Sequence, residues 1–419
     1  MSFAERNKIK TTKKEVDSLI QSSSTAIWLR NIGGQNKEQH YSFSSLYGIG
    51  VHSEFILGLT GSVSDLKAWL SNCNDYVFGY LGYDLKNELE RLTSQGVDSI
   101  GFCNAYFFVP ETVVVVGLDG NYECFSHGTE IKISNAKNAL LGSHLGEFDS
   151  MSKSAYLAAV GSLKEHMQQG NVYEVNYCVE NKFKDASIDP FSTFLNLQKV
   201  SPAPFSCYVA HEGKYLMSSS PERFMKKVGE RLISQPMKGT NRRVEENDLQ
   251  QQRLRLNKKE VAENVMITDL VRNDLSKSAK QGTVKVDELC GVYAFEHVNQ
   301  LISTVSCEMR KDVHPLDAML EAFPMGSMTG APKVRAMQLI EEHEVFSRGL
   351  YSGTVGYFTP EMDFDFNVVI RSILYNEEQK IVTFPTGGAI TINSNLEAEY
   401  EECVLKAEAM KKALTNDAE

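Results

Sequence analysis

The sequence predicts an α+β fold, in which large antiparallel β-sheets form a sandwich-like core that helices flank. The first half is rich in strand-forming segments, and the second half mixes hairpin-type strands with separate helices. No GxGxxG or Walker-type loop follows a strand, so a nucleotide-binding α/β fold has no support. A length of 419 residues is typical of two or three domains, or of one large unit with intertwined halves.

Two segments of the first half are expected to form antiparallel strands, residues 26–59 and 76–125. Both contain β-branched and aromatic runs punctuated by Gly and Asn, for example YVFGYLGYDL and TVVVVGLDGNYECF. From residue 152 the pattern changes to a helical period. The stretch SKSAYLAAVGSLKEHMQQG has a serine in the capping position and ends at Gly170, which predicts a helix.

The second half is predicted to alternate strands and helices. RFMKKVGERLISQP indicates a hairpin around Gly229. NKKEVAENVMITDLVRNDLSK predicts a helix with apolar residues at Val261, Val265, Met266 and Leu270. GAPKVRAMQLIEEHE predicts another, with Pro332 in its first turn. We expect strands in YSGTVGYFTP, DFNVVIRSILYN and KIVTFPTGGAITI, and a final helix in EAEYEECVLKAEAMKKAL.

Composition excludes several classes of function. A formal net charge of −11 argues against a nucleic-acid partner. The N-terminal stretch MSFAERNKIKTTKKEVDS is charged throughout, which predicts no signal peptide, and the longest apolar run, FFVPETVVVVG, is too short to span a bilayer. The eight cysteines are scattered without zinc-ligand spacing. We therefore expect a cytoplasmic protein with neither a nucleic-acid nor a membrane partner.

Two predicted helices each carry a pair of glutamates three residues apart, Glu260 with Glu263 and Glu399 with Glu402. At this spacing two carboxylates share a helix face and repel each other unless positive charge lies between them. Each pair alone is typical of a solvated acidic face. However, the apolar residues after Glu263 indicate a half-buried helix. If the two helices face each other, the four glutamates predict a site for a hard cation such as Mg²⁺.

The stretch QPMKGT places Lys238 between a proline and a glycine, at the predicted end of a strand. Lysine costs a good deal to desolvate, and such turns usually carry small or polar residues. An exposed loop lysine is the simpler interpretation. The alternative is an amine positioned to attack a substrate.

Seven stretches resemble, in the same order, motifs of the chorismate-utilising enzymes, a family that includes anthranilate, aminodeoxychorismate, isochorismate and salicylate synthases. They are SPERF (220–224), PMKGT (236–240), KEVAENVMITDLVRNDL (259–275), GSMTGAPKVRAMQLIEE (326–342), YSGTVGYF (351–358), RSI (371–373) and TGGAITINSNLEAEYEEC (386–403). The resemblance is strong over 152–412 and weaker in the first half, chiefly in FGYLGYDLKNELE (78–90). It implies an anthranilate synthase component I-like β-rich region over 1–150 and a chorismate-binding catalytic domain over 151–412.

Within the family, PMKGT and PAPFS (202–206) are most similar to the aminodeoxychorismate synthase component I group, which typically reads Pro-Ile-Lys-Gly-Thr. Anthranilate and isochorismate synthases typically have Ala at the position of Lys238. Gln300 stands where the family usually has a histidine, which in anthranilate synthases is associated with pyruvate elimination. The replacement of this histidine fits an enzyme that stops before aromatisation. The resemblance thus implies conversion of chorismate and ammonia to 4-amino-4-deoxychorismate, for 4-aminobenzoate and folate. The alternatives are anthranilate synthase component I, isochorismate synthase and a non-catalytic chorismate-binding paralogue.

The resemblance also implies roles for single residues. Glu222 matches the general acid, whose pKa we expect burial to raise, and Lys238 the nucleophile, whose pKa we expect burial to lower. Glu263 and Glu402 match the direct Mg²⁺ ligands, with Glu260 and Glu399 beside them. The implied substrate contacts are Arg371 and Tyr351 at the enolpyruvyl carboxylate, and further Gly239, Thr240, Ser327, Gly387, Gly388, Ala389 and Lys406.

Two further points concern partners and departures. The chain has no cysteine in a Gly-x-Cys-x-Gly setting, as a glutaminase nucleophile would require. The resemblance therefore implies a glutamine amidotransferase partner that supplies ammonia, and a separate aminodeoxychorismate lyase downstream. Glu174, in NVYEVNY, departs from the family, which more usually has Gln there.

Overall fold

In a computed structural model, the structure describes residues 2–31, 43–90, 92–128, 143–244, 247–295 and 298–415. The part of the predicted strand region 26–59 that covers 32–42 lies outside these residues. The α-helices are α1 (Lys13–Ser22), α2 (Val63–Asn72), α3 (Lys86–Leu89), α4 (Lys153–Gln168), α5 (Pro190–Val200), α6 (Asp248–Leu256), α7 (Lys258–Ser278), α8 (Pro315–Ala322), α9 (Lys333–His343) and α10 (Leu396–Thr415).

The strands of the described residues complete the element order. They are β1 (Asn7–Ile9), β2 (Thr25–Arg30), β3 (Ser45–Ile56), β4 (Val77–Leu81), β5 (Ala105–Val116), β6 (Tyr122–Ser126), β7 (Glu147–Ser150), β8 (Glu174–Val179), β9 (Asn181–Lys184), β10 (Phe205–His211), β11 (Lys214–Ser220), β12 (Arg223–Val228), β13 (Arg231–Gln235), β14 (Met237–Arg242), β15 (Lys285–Ala294), β16 (Val298–Glu308), β17 (Gly330–Ala331), β18 (Thr354–Phe358), β19 (Phe364–Asn367), β20 (Ser372–Asn376), β21 (Ile381–Thr383) and β22 (Thr386–Thr391).

Antiparallel pairing joins 19 of these strands into one large sheet, and β17, β8 and β22 form a second, small sheet. Strands of the two halves pair directly. β2 pairs with β10, and β4 lies between β5 and β18. The predicted α+β fold with intertwined halves is confirmed. The domain boundary near residue 150 stays a prediction.

The largest hydrophobic core also contains residues of both halves. The rings of Phe107, from β5, and Phe358, from β18, lie 6.0 Å apart between their centroids. Gly79 of β4 permits this packing, because a Cβ there would lie 2.3 Å from both the Phe107 ring and the Tyr106 carbonyl oxygen. Burial of such aromatic surface is the main stabilising contribution at this contact.

A buried ionic network connects the first half to α9. The Lys86 ammonium is fully buried and forms ion pairs with Asp84 at 3.0 Å and with Glu341, on α9, at 2.7 Å. The other Asp84 oxygen accepts a hydrogen bond from the Gly349 N–H at 2.8 Å. Arg348 donates to the carbonyl oxygens of Met328 and Asn176. The network thereby fixes the segment at 326–328 relative to β8.

Several predicted elements are confirmed, and one predicted strand segment is interrupted. α4 begins after Ser152, whose hydroxyl caps the helix, and the hairpin of β12 and β13 turns at Gly229. The segment DFNVVIRSILYN forms two strands, β19 and β20, rather than one. The interruption includes Arg371, whose φ of +50° is uncommon for a residue with a side chain. Among the helices of the described residues, none combines the length and the apolar character needed to cross a lipid bilayer.

The predicted helix over NKKEVAENVMITDLVRNDLSK is confirmed as α7, but the four apolar residues expected to mark its buried face are not buried. Val265 is 42% exposed. The buried positions are five polar side chains, Glu263, Asn264, Thr268, Asp274 and Ser278, and three apolar ones of the hydrophobic core, Ile267, Val271 and Leu275. Buried polar groups need partners, so this face combines packing against the hydrophobic core with polar contacts.

Candidate active site

Lys238 lies in β14, on a backbone that α7 holds in place. The Asn264 side-chain amide donates to the carbonyl oxygens of Lys238 and Leu301, both at 3.1 Å. Gly239 has a φ of +94°, and a Cβ there would lie 2.9 Å from Leu301 and 3.1 Å from the Glu260 side chain. Glycine is therefore required after the lysine on grounds of both conformation and space.

The Lys238 ammonium points into a buried set of carboxylates. Its Nζ lies 3.4 Å from Oε1 of Glu174, and the side chain is 13% exposed. Burial on its own would lower the pKa of Lys238, but the charges of Glu174, Glu263 and Glu222 outweigh burial and raise the pKa above its usual value. The expectation of a lowered lysine pKa is wrong, because the carboxylates stabilise the charged form.

Glu222 lies in the segment between β11 and β12 and is buried. Burial raises the pKa of its carboxyl to about 7, although the Ser327 hydroxyl, the Lys238 ammonium and the Met237 N–H all oppose the shift. The expected raised pKa is confirmed. Ser327, predicted to contact substrate, lines the same cavity as Glu222 and Pro236. This part of the site contains a carboxyl that holds a proton near neutral pH.

Arg371 and Tyr351 lie on the segments that flank β18 and β20. In the described part of the chain, the Arg371 guanidinium makes no ion pair, while its carbonyl oxygen accepts a hydrogen bond from Ser219. Burial lowers the pKa of Arg371. The Tyr351 hydroxyl is buried, 4.0 Å from the Cys178 sulfur. An unpaired, largely enclosed guanidinium is suited to bind a planar carboxylate.

Gly387, Gly388 and Ala389 lie on β22, where they pair with β8. A Cβ at Gly388 would lie 3.7 Å from an oxygen of Glu399, 3.8 Å from Lys406 Nζ and 3.9 Å from an oxygen of Glu402. Lys406 donates to the Gly387 carbonyl oxygen at 2.8 Å and forms an ion pair with Glu402 at 2.7 Å. The glycine strand therefore lies against the predicted metal-binding face of α10.

The two glutamate pairs are brought to the same region, from α7 and α10. Lys259 connects them, with Nζ 3.2 Å from Glu399 and 3.8 Å from Oε1 of Glu263. Burial raises the pKa of Glu263 to about 7, opposed by Lys238 and Lys259. For Glu402, burial raises the pKa, but Lys406, Lys259 and Lys238 together bring it below its usual value. The carboxylates repel one another and depend on lysines for compensation.

The donor set fits Mg²⁺ in kind. Oε1 of Glu263 is buried and accepts no hydrogen bond from the described residues, and the pKa of Glu260 is raised by burial. Carboxylate oxygens are the ligands that Mg²⁺ prefers. Within the described residues, no three or more His, Cys, Asp or Glu side chains converge closely enough to hold a metal ion by themselves. The set is therefore open, and water or substrate oxygens would have to complete it.

Gly239 and Thr240 lie beside α7, since the Thr240 N–H donates a hydrogen bond to Glu260 of that helix at 3.3 Å. Gln300 pairs with Thr240 across β14 and β16, so the departure from the family histidine lies next to the site. The predicted site residues of β14, α7, α10 and β22 thus lie in one region, and Glu222 and Ser327 line one cavity, whereas Tyr351 and Arg371 lie before β18 and β20.

Three residues around the site were missed from the sequence. Asn264 positions Lys238, Lys259 connects the glutamates, and Asp274 forms a buried ion pair with Lys333 at 2.6 Å that joins α7 to α9. For Asn264 and Asp274, the sequence shows only a polar residue within a predicted helix, and packing decides that the position is buried.

Comparisons with known proteins show what this chain is similar to. Aminodeoxychorismate synthase of Arabidopsis thaliana, a chloroplastic protein, is 34% identical over 379 residues, which are 82% of this chain and 40% of that protein. Aminodeoxychorismate synthase component 1 of Bacillus subtilis is 30% identical, over 80% of this chain and 76% of its own. Anthranilate synthase component 1 of Saccharolobus solfataricus is also 30% identical, over 92% and 93%. The chain spans about two fifths of the length of the plant relative.

The fold is likewise found in solved structures. Anthranilate synthase component I of Streptococcus pneumoniae superposes with a TM-score of 0.77 at 22% identity, over 90% of this chain and 95% of that one. The family profile described as chorismate binding enzyme matches residues 34–412. That range includes every predicted site residue and most strands of the large sheet, and the chain belongs to the chorismate-binding enzyme family.

Proposed function

We propose that the chain aminates chorismate at C4 to give 4-amino-4-deoxychorismate, as an aminodeoxychorismate synthase component I. The observation that carries the proposal is a buried lysine, Lys238, that interacts electrostatically with Glu222, a buried carboxyl that is half protonated near neutral pH. A nucleophile and a general acid in one enclosed site are what the replacement of a poor leaving group requires. Two relatives that carry this activity in their names support the choice.

The reaction divides into two displacements. Glu222 donates its proton to the C4 hydroxyl, which leaves as water, while the neutral amine of Lys238 attacks C2. Ammonia then attacks C4 and expels the lysine from C2, which restores the double bonds. The covalent step places each difficult bond change in a separate transition state.

The remaining site residues are proposed to bind the charged groups of the substrate. Arg371 is the unpaired cation for the enolpyruvyl carboxylate, with Tyr351 beside it. Glu263 and Glu402 would hold Mg²⁺, with Glu260 and Glu399 next to them. When bound, Mg²⁺ neutralises charge on the ring carboxylate. Lys406 aligns the glycine strand with Glu402, and Gly387, Gly388 and Ala389 offer backbone groups to the substrate.

The nitrogen is proposed to come from a glutamine amidotransferase partner, since neutral ammonia is scarce near neutral pH. Gln300 cannot act as a base, because a carboxamide does not accept a proton at any physiological pH. The product should therefore keep its enolpyruvyl group. A separate aminodeoxychorismate lyase is expected to act next.

The experiment that tests the function is an analysis of products. Incubation with chorismate, Mg²⁺ and ammonium at alkaline pH should accumulate 4-amino-4-deoxychorismate by mass spectrometry. A lactate dehydrogenase-coupled assay should detect pyruvate only after a lyase is added. The Lys238→Ala variant should bind chorismate and lose most of the amination, and Lys238→Arg should not restore it, because a guanidinium stays protonated.

Three outcomes would contradict the proposal. Stoichiometric pyruvate with a fluorescent 2-aminobenzoate product would identify an anthranilate synthase. A hydroxylated isomer formed without any nitrogen source would identify an isochorismate synthase. Binding of chorismate without turnover under all of these conditions would indicate a non-catalytic paralogue.

A further inference from the structure

Glu174 occupies a rigid position in the small sheet. It lies on β8, the central strand, and pairs with Ala331 of β17 on one side and Thr391 of β22 on the other. Its carbonyl oxygen is so close to Gly330 that a Cβ on that glycine would lie 2.1 Å away. A strand held on both edges at this distance cannot shift to relieve an unfavourable side chain. The direction of the Glu174 carboxylate is therefore fixed by the fold.

The Glu174 side chain is fully buried, and Lys238 is its partner. The Nζ–Oε1 distance is 3.4 Å, and apart from this ion pair neither oxygen of Glu174 has a partner among the described residues. A buried carboxylate without hydrogen bonds from the backbone or from hydroxyl groups is costly. Gln would fill the same space without the charge. The carboxylate at this position therefore needs an explanation in terms of the lysine.

Four carboxylates face Lys238, each from a different element. They are Glu174 from β8, Glu222 from the segment before β12, Glu263 from α7 and Glu402 from α10. Glu222 must give a proton to the leaving hydroxyl and cannot accept one at the same moment. Glu263 and Glu402 have Lys259 and Lys406 as further partners. Among the described residues, the ion pair with Lys238 is formed by Glu174.

We propose that Glu174 takes the proton of the Lys238 ammonium and so produces the amine that attacks chorismate. The inference rests on the proposed function and deepens it. Substrate that fills the site excludes water, and an ammonium–carboxylate pair without water is less stable relative to the neutral amine and carboxylic acid. The proton then moves across a single short contact, from Nζ to Oε1. Glu174 touches no reacting atom of the substrate and acts through the lysine.

The proton balance closes over one cycle. Glu174 receives one proton from Lys238 before the attack on C2 and keeps it while the lysine is bound to carbon. Ammonia carries its own protons to C4, and the amino product leaves as an ammonium group. The expelled lysine is again a neutral amine and takes its proton back from Glu174. The pair therefore starts and ends in the same state, and Glu222 is reprotonated by solvent.

The test is the Glu174→Gln variant in a rapid-quench measurement of the Lys238 adduct, with chorismate, Mg²⁺ and no ammonia. If Glu174 is the proton acceptor, the variant should form adduct at least about 100-fold more slowly at neutral pH, the usual size of a general-base contribution. The ratio of variant to wild-type rates should then rise with pH, because solvent begins to deprotonate the lysine. Taking the ratio cancels the titration of Glu222, which both proteins share.

A purely electrostatic role gives the opposite result. Loss of a neighbouring negative charge lowers the pKa of a lysine, so a variant that had lost only a counter-ion would form adduct at least as fast as wild type at neutral pH. That result would overturn the inference. Glu174→Asp, which keeps the carboxylate at a shorter reach, should retain the wild-type pH dependence at a reduced rate and guards against misfolding of the Gln variant.

Glu180→Gln is the matched control. Glu180 follows the same strand, and its ion pair with Lys182, at 2.7 Å, lies outside the lysine site. This variant should form adduct at the wild-type rate. These measurements distinguish a failure of the proposed function from a failure of the inference about Glu174. A wild-type enzyme that makes no 4-amino-4-deoxychorismate overturns the proposed function, and the inference with it. A wild-type enzyme that does, with a Glu174→Gln variant equally fast at neutral pH, overturns the inference alone.

Discussion

At the scale of single residues, the site is governed by how a buried charge is compensated. Lys238 and Glu222 interact electrostatically, yet the pKa values of both are raised. For Glu222, burial dominates and favours the neutral acid. For Lys238, the surrounding carboxylates dominate and favour the charged ammonium. The site before substrate binding is therefore prepared for acid catalysis, and the lysine still has to be deprotonated.

The raised pKa of Glu222 predicts how the reaction depends on pH. A general acid must be protonated, so the rate of loss of the C4 hydroxyl should fall about tenfold per unit as pH rises above about 7. Single-turnover rates with chorismate over a pH series measure this. Glu222→Gln should abolish turnover at every pH. A rate that stays constant well into the alkaline range would contradict the assignment.

The same shift has a consequence for stability, with a definite sign. The folded protein holds the Glu222 proton more tightly than the unfolded chain does, so unfolding free energy falls as pH rises from about 4.5 to about 7. The difference corresponds to about 3 kcal/mol at 1.4 kcal/mol per pKa unit. Glu222→Gln should therefore be more stable than wild type at pH above 7, as measured by urea unfolding. An inactive variant with unchanged stability would mean that the carboxyl is already solvated.

At the scale of elements, α7 and α10 present the predicted metal-binding carboxylates, with Lys259 between them. Because Lys259 compensates part of the charge already, we expect Mg²⁺ to be needed for chemistry and not for folding. Glu263→Gln or Glu402→Gln should abolish turnover with little change in melting temperature. Glu401→Gln, an exposed neighbour on α10, is the control and should be fully active. Undiminished activity in excess EDTA would refute the metal requirement.

The same helices show what could be predicted from sequence. The glutamate spacing predicted that each pair shares one helix face, and the ordered motifs predicted the residues of the site. The buried face of α7 was not predictable from hydrophobicity, since Asn264 and Asp274 are buried while Val265 is exposed. Nor was the charge state of Lys238, because it depends on Glu174, which a distant strand of the other sheet brings to it. The sequence pattern predicts which residues form the site, whereas tertiary contacts decide their protonation.

At the scale of the whole molecule, the two halves complete each other's sheet. β4 supplies hydrogen bonds to both β5 and β18, and β2 covers one edge of β10. Residues 151–419 expressed alone would expose these edges and the aromatic core at Phe358. We expect that fragment to aggregate, and co-expression with residues 1–150 to recover soluble complex, as measured by size-exclusion chromatography. A soluble, cooperatively unfolding fragment 151–419 would show that the halves are independent.

The pairing of Lys238 with Glu174 also limits how this active site can diversify. If Lys238 is changed to a small neutral residue, the Glu174 carboxylate remains buried without its partner, in a strand that cannot move. Breaking a buried ion pair from one side costs about 3–5 kcal/mol. A mutant library that varies position 238 alone therefore samples mostly weakened proteins. Randomising 174 and 238 together opens the route to new nucleophiles, since a neutral residue at 174 removes the penalty. In directed evolution of this protein, positions 174 and 238 therefore have to be varied together.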